Sequence, residues 1–225
     1  MNSMNHYLYK GIIFDLDGTL ADTLEDLIDS CNAMLSDFGF PTHDYETGKT
    51  FIGNGIRKLV ERALPEKERN NDTLIDAAFQ RMNTEYARRY ADKTQPYQGI
   101  HTVLSRLDER HIPYAINTNK PDEMAKAVVA ACFKNAHFQM ICGKKDGIPH
   151  KPDPAQALKI ASRLNLSPRD CLYIGDSPVD HDTAVNAGMA SVLCTWGFTK
   201  KERLLQYKDA VIIDHPTDII QLIFE

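Results

Sequence analysis

Gly11-Ile12-Ile13-Phe14-Asp15-Leu16-Asp17-Gly18-Thr19 is the stretch on which the reading of this chain turns. A contiguous apolar run, Gly11 to Phe14, leads directly into two carboxylates and a glycine. Apolar character that does not alternate marks a strand covered on both faces, as in parallel sheets. The pattern recurs at Pro113-Tyr114-Ala115-Ile116, Gln139-Met140-Ile141-Cys142, Cys171-Leu172-Tyr173-Ile174, Ser191-Val192-Leu193-Cys194 and Ala210-Val211-Ile212-Ile213. A helix-like segment follows each run. Strands alternating with helices predict a doubly wound α/β fold, a Rossmann-like parallel sheet with crossover helices. Pro121 opens one such helix, with Met124, Ala127, Val128 and Ala131 expected on one face. Pro154 opens another, and Pro178 leads into a third that Gly188 stops.

The interval after the first run is too long for a crossover. Within it Leu24, Leu27, Ile28, Cys31, Leu35 and Phe38 follow helical spacing, as do Ile56, Leu59, Val60, Ala63 and Leu64, and then Ile75, Ala78, Phe79, Met82 and Tyr86. These predict an inserted bundle of three or four helices. It is placed at residues 22–95, with hinges near Ala21-Asp22-Thr23 and Gln95-Pro96-Tyr97-Gln98-Gly99. The α/β core then comprises residues 1–21 and 96–225.

The 225 residues are 43% hydrophobic and 25% charged, the balance of a folded globular protein long enough to bury a sizeable core. A formal net charge of −5 offers no broad attraction to nucleic acid or to an anionic membrane, so neither is expected as a partner. A small molecule is expected instead. If that molecule is an anion, a local cation must offset the global field. No apolar run approaches the ~20 residues of a membrane span, and Met1 to Lys10 lacks the basic and apolar regions of a secretory leader. A cytoplasmic protein is expected. Cys31, Cys132, Cys142, Cys171 and Cys194 form no C-x-x-C pair and read as buried core thiols. Whether the chain is a monomer or a homodimer is left open.

Ligand sites in open α/β sheets lie beyond the carboxyl ends of the strands. Four segments at or after these ends carry reactive or phosphate-friendly residues: Asp15-Leu16-Asp17-Gly18-Thr19, then Thr118-Asn119-Lys120, then Lys151-Pro152, then Gly175-Asp176-Ser177 with Asp180 and Asp182 following. Carboxylates, a hydroxyl, an amide and lysines are thereby expected at one edge of the sheet.

Taken in order, Asp15-Leu16-Asp17-Gly18-Thr19-Leu20, Asn117-Thr118-Asn119, Lys151-Pro152-Asp153-Pro154 and Gly175-Asp176-Ser177-Pro178-Val179-Asp180 resemble the four motifs of the haloacid dehalogenase superfamily. The inserted helices resemble its cap domain. Thr118-Asn119-Lys120-Pro121 and the stretch from Phe51-Ile52-Gly53-Asn54-Gly55 through Arg57 to Leu64 resemble the phosphoglycolate phosphatase subgroup. The resemblance implies a phosphatase acting on a small phosphate ester, with 2-phosphoglycolate the leading substrate.

The chemistry explains the residue types. A carboxylate can attack phosphorus in line and hold the group as an aspartyl phosphate, which splits one difficult displacement in two. Asp15 would be that nucleophile. Asp17 would protonate the leaving alkoxide and later take a proton from the attacking water. Halide needs no such acid, and the dehalogenases of this superfamily lack an Asp there, so Asp17 favours phosphate chemistry. Carboxylate and phosphate repel at contact distance, and Mg²⁺ suits the gap because it takes a few carboxylates together with phosphate and water.

By resemblance, Asp15 and Asp176 give the metal side-chain oxygens and Asp17 its backbone carbonyl, with Asp180 a direct ligand or an outer partner. Asp182 reads as a surface carboxylate at a helix start. Thr118, the Asn119 amide and Lys151 would hold the phosphoryl group. Lys120 either joins them or faces solvent, and Thr19 is a turn hydroxyl or a site residue. Gly53, Asn54 and Gly55 either admit an anionic substrate to backbone amides, with Arg57 or Lys58 reaching its carboxylate, or only make a turn. His150, just before Lys151, departs from the lysine or other polar residue usual in relatives.

Other signals fail. Gly53 and Gly55 lack the third glycine of a dinucleotide fingerprint, and Thr47-Gly48-Lys49-Thr50 has His43 where a P-loop needs glycine. No histidine pairing suits zinc. Trp196-Gly197-Phe198 reads as packing and loop structure. Competing functions are a phosphatase for a sugar phosphate, nucleotide or pyrophosphate, a phosphosugar mutase, and a receiver-like signalling or binding domain. For the last, a helical insertion and Asp17 would both be idle.

Overall fold

The structure, a computed structural model, describes residues 8–53 and 55–224. Six strands form one parallel sheet: β1 (Gly11–Phe14), β4 (Tyr114–Pro121), β5 (Ile141–Lys144), β6 (Cys171–Gly175), β7 (Ala190–Cys194) and β8 (Val211–Ile213). Their order is β5-β4-β1-β6-β7-β8, which places the first run at the centre. The order steps away from β1 in both directions, leaving a crevice at the carboxyl ends of β1, β4 and β6.

The alternating sides of each buried strand fill two separate cores. Ile12, Phe14, Tyr114, Ile116, Leu172 and Ile174 pack with α5 (Ile100–Glu109), α6 (Asp122–Cys132) and α10 (Asp218–Phe224). Ile13, Ala115, Cys171 and Tyr173 pack with α7 (Ala155–Arg163) and α8 (Pro178–Ala187). The fold is the doubly wound α/β sheet that the unbroken apolar runs predict. Ile12, Ile13 and Phe14 are wholly buried, and each such side chain contributes about 1.5–3 kcal/mol of burial.

Two details differ. The strand expected at residues 139–142 lies at Ile141–Lys144, although Gln139 N–H already donates to the Tyr114 carbonyl at 2.9 Å. In α6 the buried apolar residues are Ala125, Val128 and Val129, while Ala131 is exposed, so its inner face is rotated from the expected one. Pro121 and Pro154 precede α6 and α7 as N-caps, and Gly188 ends α8 in the left-handed conformation.

Between β1 and α5 the chain forms a two-residue strand β2 (Ala21–Asp22), four helices, and a matching strand β3 (Gln95–Pro96). The helices are α1 (Leu24–Asp37), α2 (Tyr45–Lys49), α3 (Ile56–Ala63) and α4 (Asp72–Arg89). They enclose their own apolar cluster, including Leu27, Met34, Leu59, Val60, Met82 and Tyr86. Strands β2 and β3 pair antiparallel, bringing entry and exit side by side. Buried Asp26 fixes that junction: its carboxylate accepts from the Lys93 and Thr94 amides at 3.1 and 2.8 Å and from Thr94 Oγ1 at 2.7 Å. Among the described residues no helix is long and apolar enough to cross a membrane.

Candidate active site

Asp15 leaves β1 at its carboxyl end, where its amide donates to the Ile174 carbonyl of β6 at 2.9 Å. The chain then turns through Gly18, whose φ of +82° suits glycine and whose missing side chain leaves room for the Asp176 carboxylate. Asp176 and Asp180 follow β6, the latter in the first turn of α8. One carboxylate oxygen from each of Asp15, Asp176 and Asp180 lies within 4.8 Å of the others, and all three side chains are buried.

Lys151 is the counter-charge. Its Nζ lies 2.6 Å from Asp180 Oδ1, a hydrogen bond, and 2.9 Å from Asp15 Oδ1. The second contact is an ion pair between buried groups. Burial disfavours the ammonium, yet Asp15 and Asp180 outweigh it and hold Lys151 well above its ordinary pKa. Burial pushes Asp15 up to about 6 against the pull of Lys151. Asp176 rises well above the usual carboxylate range through burial and then through the charges of Asp180 and Asp15.

Three buried carboxylates against one ammonium are a donor set that fits a divalent cation. The oxygens are not equally free. Asp180 Oδ1 accepts from Lys151, and its Oδ2 accepts from the Ser177 amide at 3.1 Å and Ser177 Oγ at 2.6 Å in a capping box. Asp176 Oδ2 accepts from the Phe198 amide at 2.7 Å, and its other oxygen carries no such bond among the described residues.

On the β4 side, Thr118, Asn119 and Lys120 extend the same edge. Asn119 holds the Lys151 segment reciprocally: its Oδ1 accepts from the Lys151 amide at 3.0 Å, and its Nδ2 donates to the Lys151 carbonyl at 3.2 Å. Lys120 does not face solvent. Its ammonium lies 2.8 Å from Asp17 Oδ1, which also accepts from Thr23 Oγ1 at 2.8 Å.

These groups open onto a cavity of about 390 Å³ lined by Asp15, Asp17, Thr118, Asn119, Lys120, Lys151 and Asp176 on the sheet side. The helices supply the opposite wall through Leu27, Ile52, Ile56 and Leu59, with Gly53 and Gly55 between them.

A family profile of haloacid dehalogenase-like hydrolases matches residues 12–194, which carry all these strand-end groups. The chain belongs to that family. The phosphoglycolate phosphatase 1 of Pseudomonas aeruginosa is 31% identical over 212 residues, covering 93% of this chain and 78% of its own. The phosphoglycolate phosphatase of Psychrobacter arcticus is 33% identical over 210 residues, covering 90% of both. The crystal structure of a predicted phosphoglycolate phosphatase from Haemophilus somnus superposes with a TM-score of 0.87 at 28% identity, over 96% of this chain and 98% of that one. This haloacid dehalogenase-like hydrolase is thus an enzyme of the phosphatase kind, on the phosphoglycolate phosphatase-like branch.

Not every residue singled out in the sequence lies at the cavity of this hydrolase. Arg57 does not reach the cavity. A helical step of about 100° per residue turns it away from Ile56, and its guanidinium pairs with Asp76 at 2.5 Å and Glu61 at 3.7 Å. Lys58 pairs with Glu61. Gly53 and Gly55 line the cavity, whereas Asn54 lies outside the described residues. Thr19 is buried, with its carbonyl accepting from Trp196 Nε1 at 3.0 Å, and it does not line the cavity. Asp182 and His150 are exposed.

Phe198, read as packing, lines the cavity as well as tethering Asp176. Lys49, Lys200 and Arg203 also line it, with no ion-pair partner among the described residues. The Thr47-Gly48-Lys49-Thr50 segment, dismissed as a P-loop, sends Lys49 and Thr50 to this wall.

Proposed function

We propose that this hydrolase cleaves a small phosphate monoester in a Mg²⁺-dependent reaction through an aspartyl phosphate on Asp15, with 2-phosphoglycolate giving glycolate and phosphate. The observation that carries the reading is the meeting of Asp15, Lys151 and Asp176 at one cavity, with Asp180 beside them. In the first step an Asp15 oxygen bonds to phosphorus, the phosphorus–oxygen ester bond breaks, and Asp17 gives its proton to the departing alkoxide. In the second, water adds to phosphorus while the Asp15 bond breaks, and Asp17 takes the water proton.

Asp15 and Asp176 would hold Mg²⁺ by side-chain oxygens and Asp17 by its carbonyl. Asp180, with both oxygens engaged, is an outer partner that positions Lys151. Bound there, Mg²⁺ supplies positive charge between the carboxylate and the phosphoryl oxygens. Thr118 and the Asn119 amide bind those oxygens, and Lys151 offsets their charge.

Residues 1–21 and 96–225 form the catalytic domain and 22–95 a cap that selects the substrate. Lys49, Lys200 and Arg203, which line the cavity, are cations available for a second anionic group such as a carboxylate. A second reading has its own support: Leu27, Ile52, Ile56, Leu59, Val179 and Phe198 give the cavity an apolar side suited to an ester larger than a two-carbon acid.

The test is phosphate release from 2-phosphoglycolate, sugar phosphates, nucleotides and pyrophosphate, with and without Mg²⁺. A Mg²⁺-dependent preference for 2-phosphoglycolate is expected. Preference for a larger ester transfers the assignment to the second reading, and no release from any ester contradicts both.

A further inference from the structure

Asp17, the group that would move the proton, is not held by the sheet alone. Its Oδ1 accepts from Thr23 Oγ1 and from Lys120 Nζ, each at 2.8 Å. No bond is made by its Oδ2 among the described residues, while the residue itself lines the cavity. Lys120, with a side chain only 1% exposed, has one further neighbour that fixes it. Its ammonium donates to the hydroxyl oxygen of Tyr86 and lies 4.5 Å from the centroid of that ring.

Tyr86 belongs to α4 of the insertion and is wholly buried in the insertion's own apolar cluster. Lys120 belongs to β4 of the sheet. A single ammonium therefore joins the longest inserted helix to the acid/base carboxyl.

A lysine ammonium is a point charge with three donors on a flexible stem, so one acceptor does not fix its place. The Tyr86 oxygen and ring face give it a second, differently directed partner. That pins Nζ against Asp17 Oδ1 and leaves Oδ2 as the oxygen that meets the leaving group. Proton transfer requires that oxygen within hydrogen-bond reach of the ester oxygen.

We infer that Tyr86 is a positioning residue for Asp17, acting through Lys120, so that proton transfer at the sheet edge depends on the docking of α4. The inference rests on the role proposed above for Asp17. In the first step the Asp17 proton goes to the alkoxide as the Asp15–phosphorus bond forms and the ester bond breaks. A 4-nitrophenolate leaving group departs as the anion and needs no proton, so an aryl ester reports the same displacement without that demand.

The experiment compares single-turnover cleavage of 4-nitrophenyl phosphate with that of whichever alkyl phosphate the wild type hydrolyses best, in Mg²⁺. Tyr86→Phe, which keeps the ring, should slow the alkyl ester by roughly tenfold or more, with KM changed less than about twofold and the aryl ester much less affected. Lys120→Met should lower the alkyl-to-aryl ratio at least as far. The double variant should be no slower than Lys120→Met alone, because Tyr86 acts through Lys120.

Equal slowing of both esters, or a double variant slower by the product of the single effects, overturns the inference. If Tyr86→Phe does not fold, an unchanged ratio in Lys120→Met overturns it by itself. A wild type that cleaves neither ester overturns the proposed function instead, and this inference with it.

Discussion

At the carboxyl edge of the sheet, charge is buried and paired: Lys151 lies 2.9 Å from Asp15 and 2.6 Å from Asp180, with side chains no more than 11% exposed. Across the cavity the insertion presents Leu27, Ile52, Ile56 and Leu59 and carries most of its ion pairs outside, as with Arg57–Asp76 and Arg81–Asp37. One wall holds charges where strand register puts them, beyond the ends of β1, β4 and β6. The other is shaped by a separate apolar core. The two regions meet at the β2–β3 pair and again where Lys120 contacts Tyr86.

The contrast makes unequal demands on substitution. Asp15→Asn removes the proposed nucleophile at nearly constant shape, so phosphate release should fall by about a thousandfold or more while the thermal melt stays near that of wild type. Substantial turnover in that variant would move the chemistry elsewhere. Lys151→Met leaves two buried carboxylates without their ammonium and should cost about 3–5 kcal/mol in urea unfolding. Excess Mg²⁺ should restore part of that loss. Unchanged stability would mean that the charge at the sheet edge is balanced by something other than Lys151.

In the insertion the expected effects come from packing. Met82, wholly buried, should cost about 2–5 kcal/mol when cut back to alanine, read by unfolding of the full chain. No loss would show that the helices have no core of their own. Glu85, like Asp26, departs from this pattern: it is a nearly buried carboxylate receiving Arg81, Arg88 and Arg89. Hydrogen bonding from Arg81 first, then from Arg89, lowers its pKa below 4.5 despite desolvation. The unfolded chain therefore takes up this proton at higher pH than the folded one, so the contribution is complete above 4.5 and disappears as pH falls below it. Because the arginines are partly exposed, Glu85→Gln should cost at most ~1 kcal/mol at neutral pH. The two melting curves should converge as the pH falls below 4.5, and a difference that persists in acid would assign the effect to packing.

The sheet was legible because each buried strand advertises itself locally, as Gly11–Phe14 and Cys171–Gly175 do. Asp15, Asp176 and Lys151 were legible because reactive residues stood just past, or between, such runs. What escaped depends on contacts between distant segments. Tyr86 fits the apolar periodicity of α4, and nothing local shows that its hydroxyl meets Lys120. Phe198 holds Asp176 by a backbone amide, a bond to which its side chain gives no clue. Arg57 has the charge to bind a carboxylate, but the helix phase that points it at Asp76 is set by which side of α3 is buried. Lys49 and Arg203 share a cavity only because the insertion folds over the loop beyond β7.

The most direct test of the central claim is to quench the enzyme in acid during turnover of its best phosphate ester and map the phosphorylated peptide by mass spectrometry. The account predicts a phosphoryl group on Asp15, absent from Asp15→Asn and accumulating in Asp17→Asn when 4-nitrophenyl phosphate supplies a leaving group that needs no proton. Full turnover with no phosphorylated peptide in either the wild type or Asp17→Asn, or a phosphoryl group on any other residue, would contradict it.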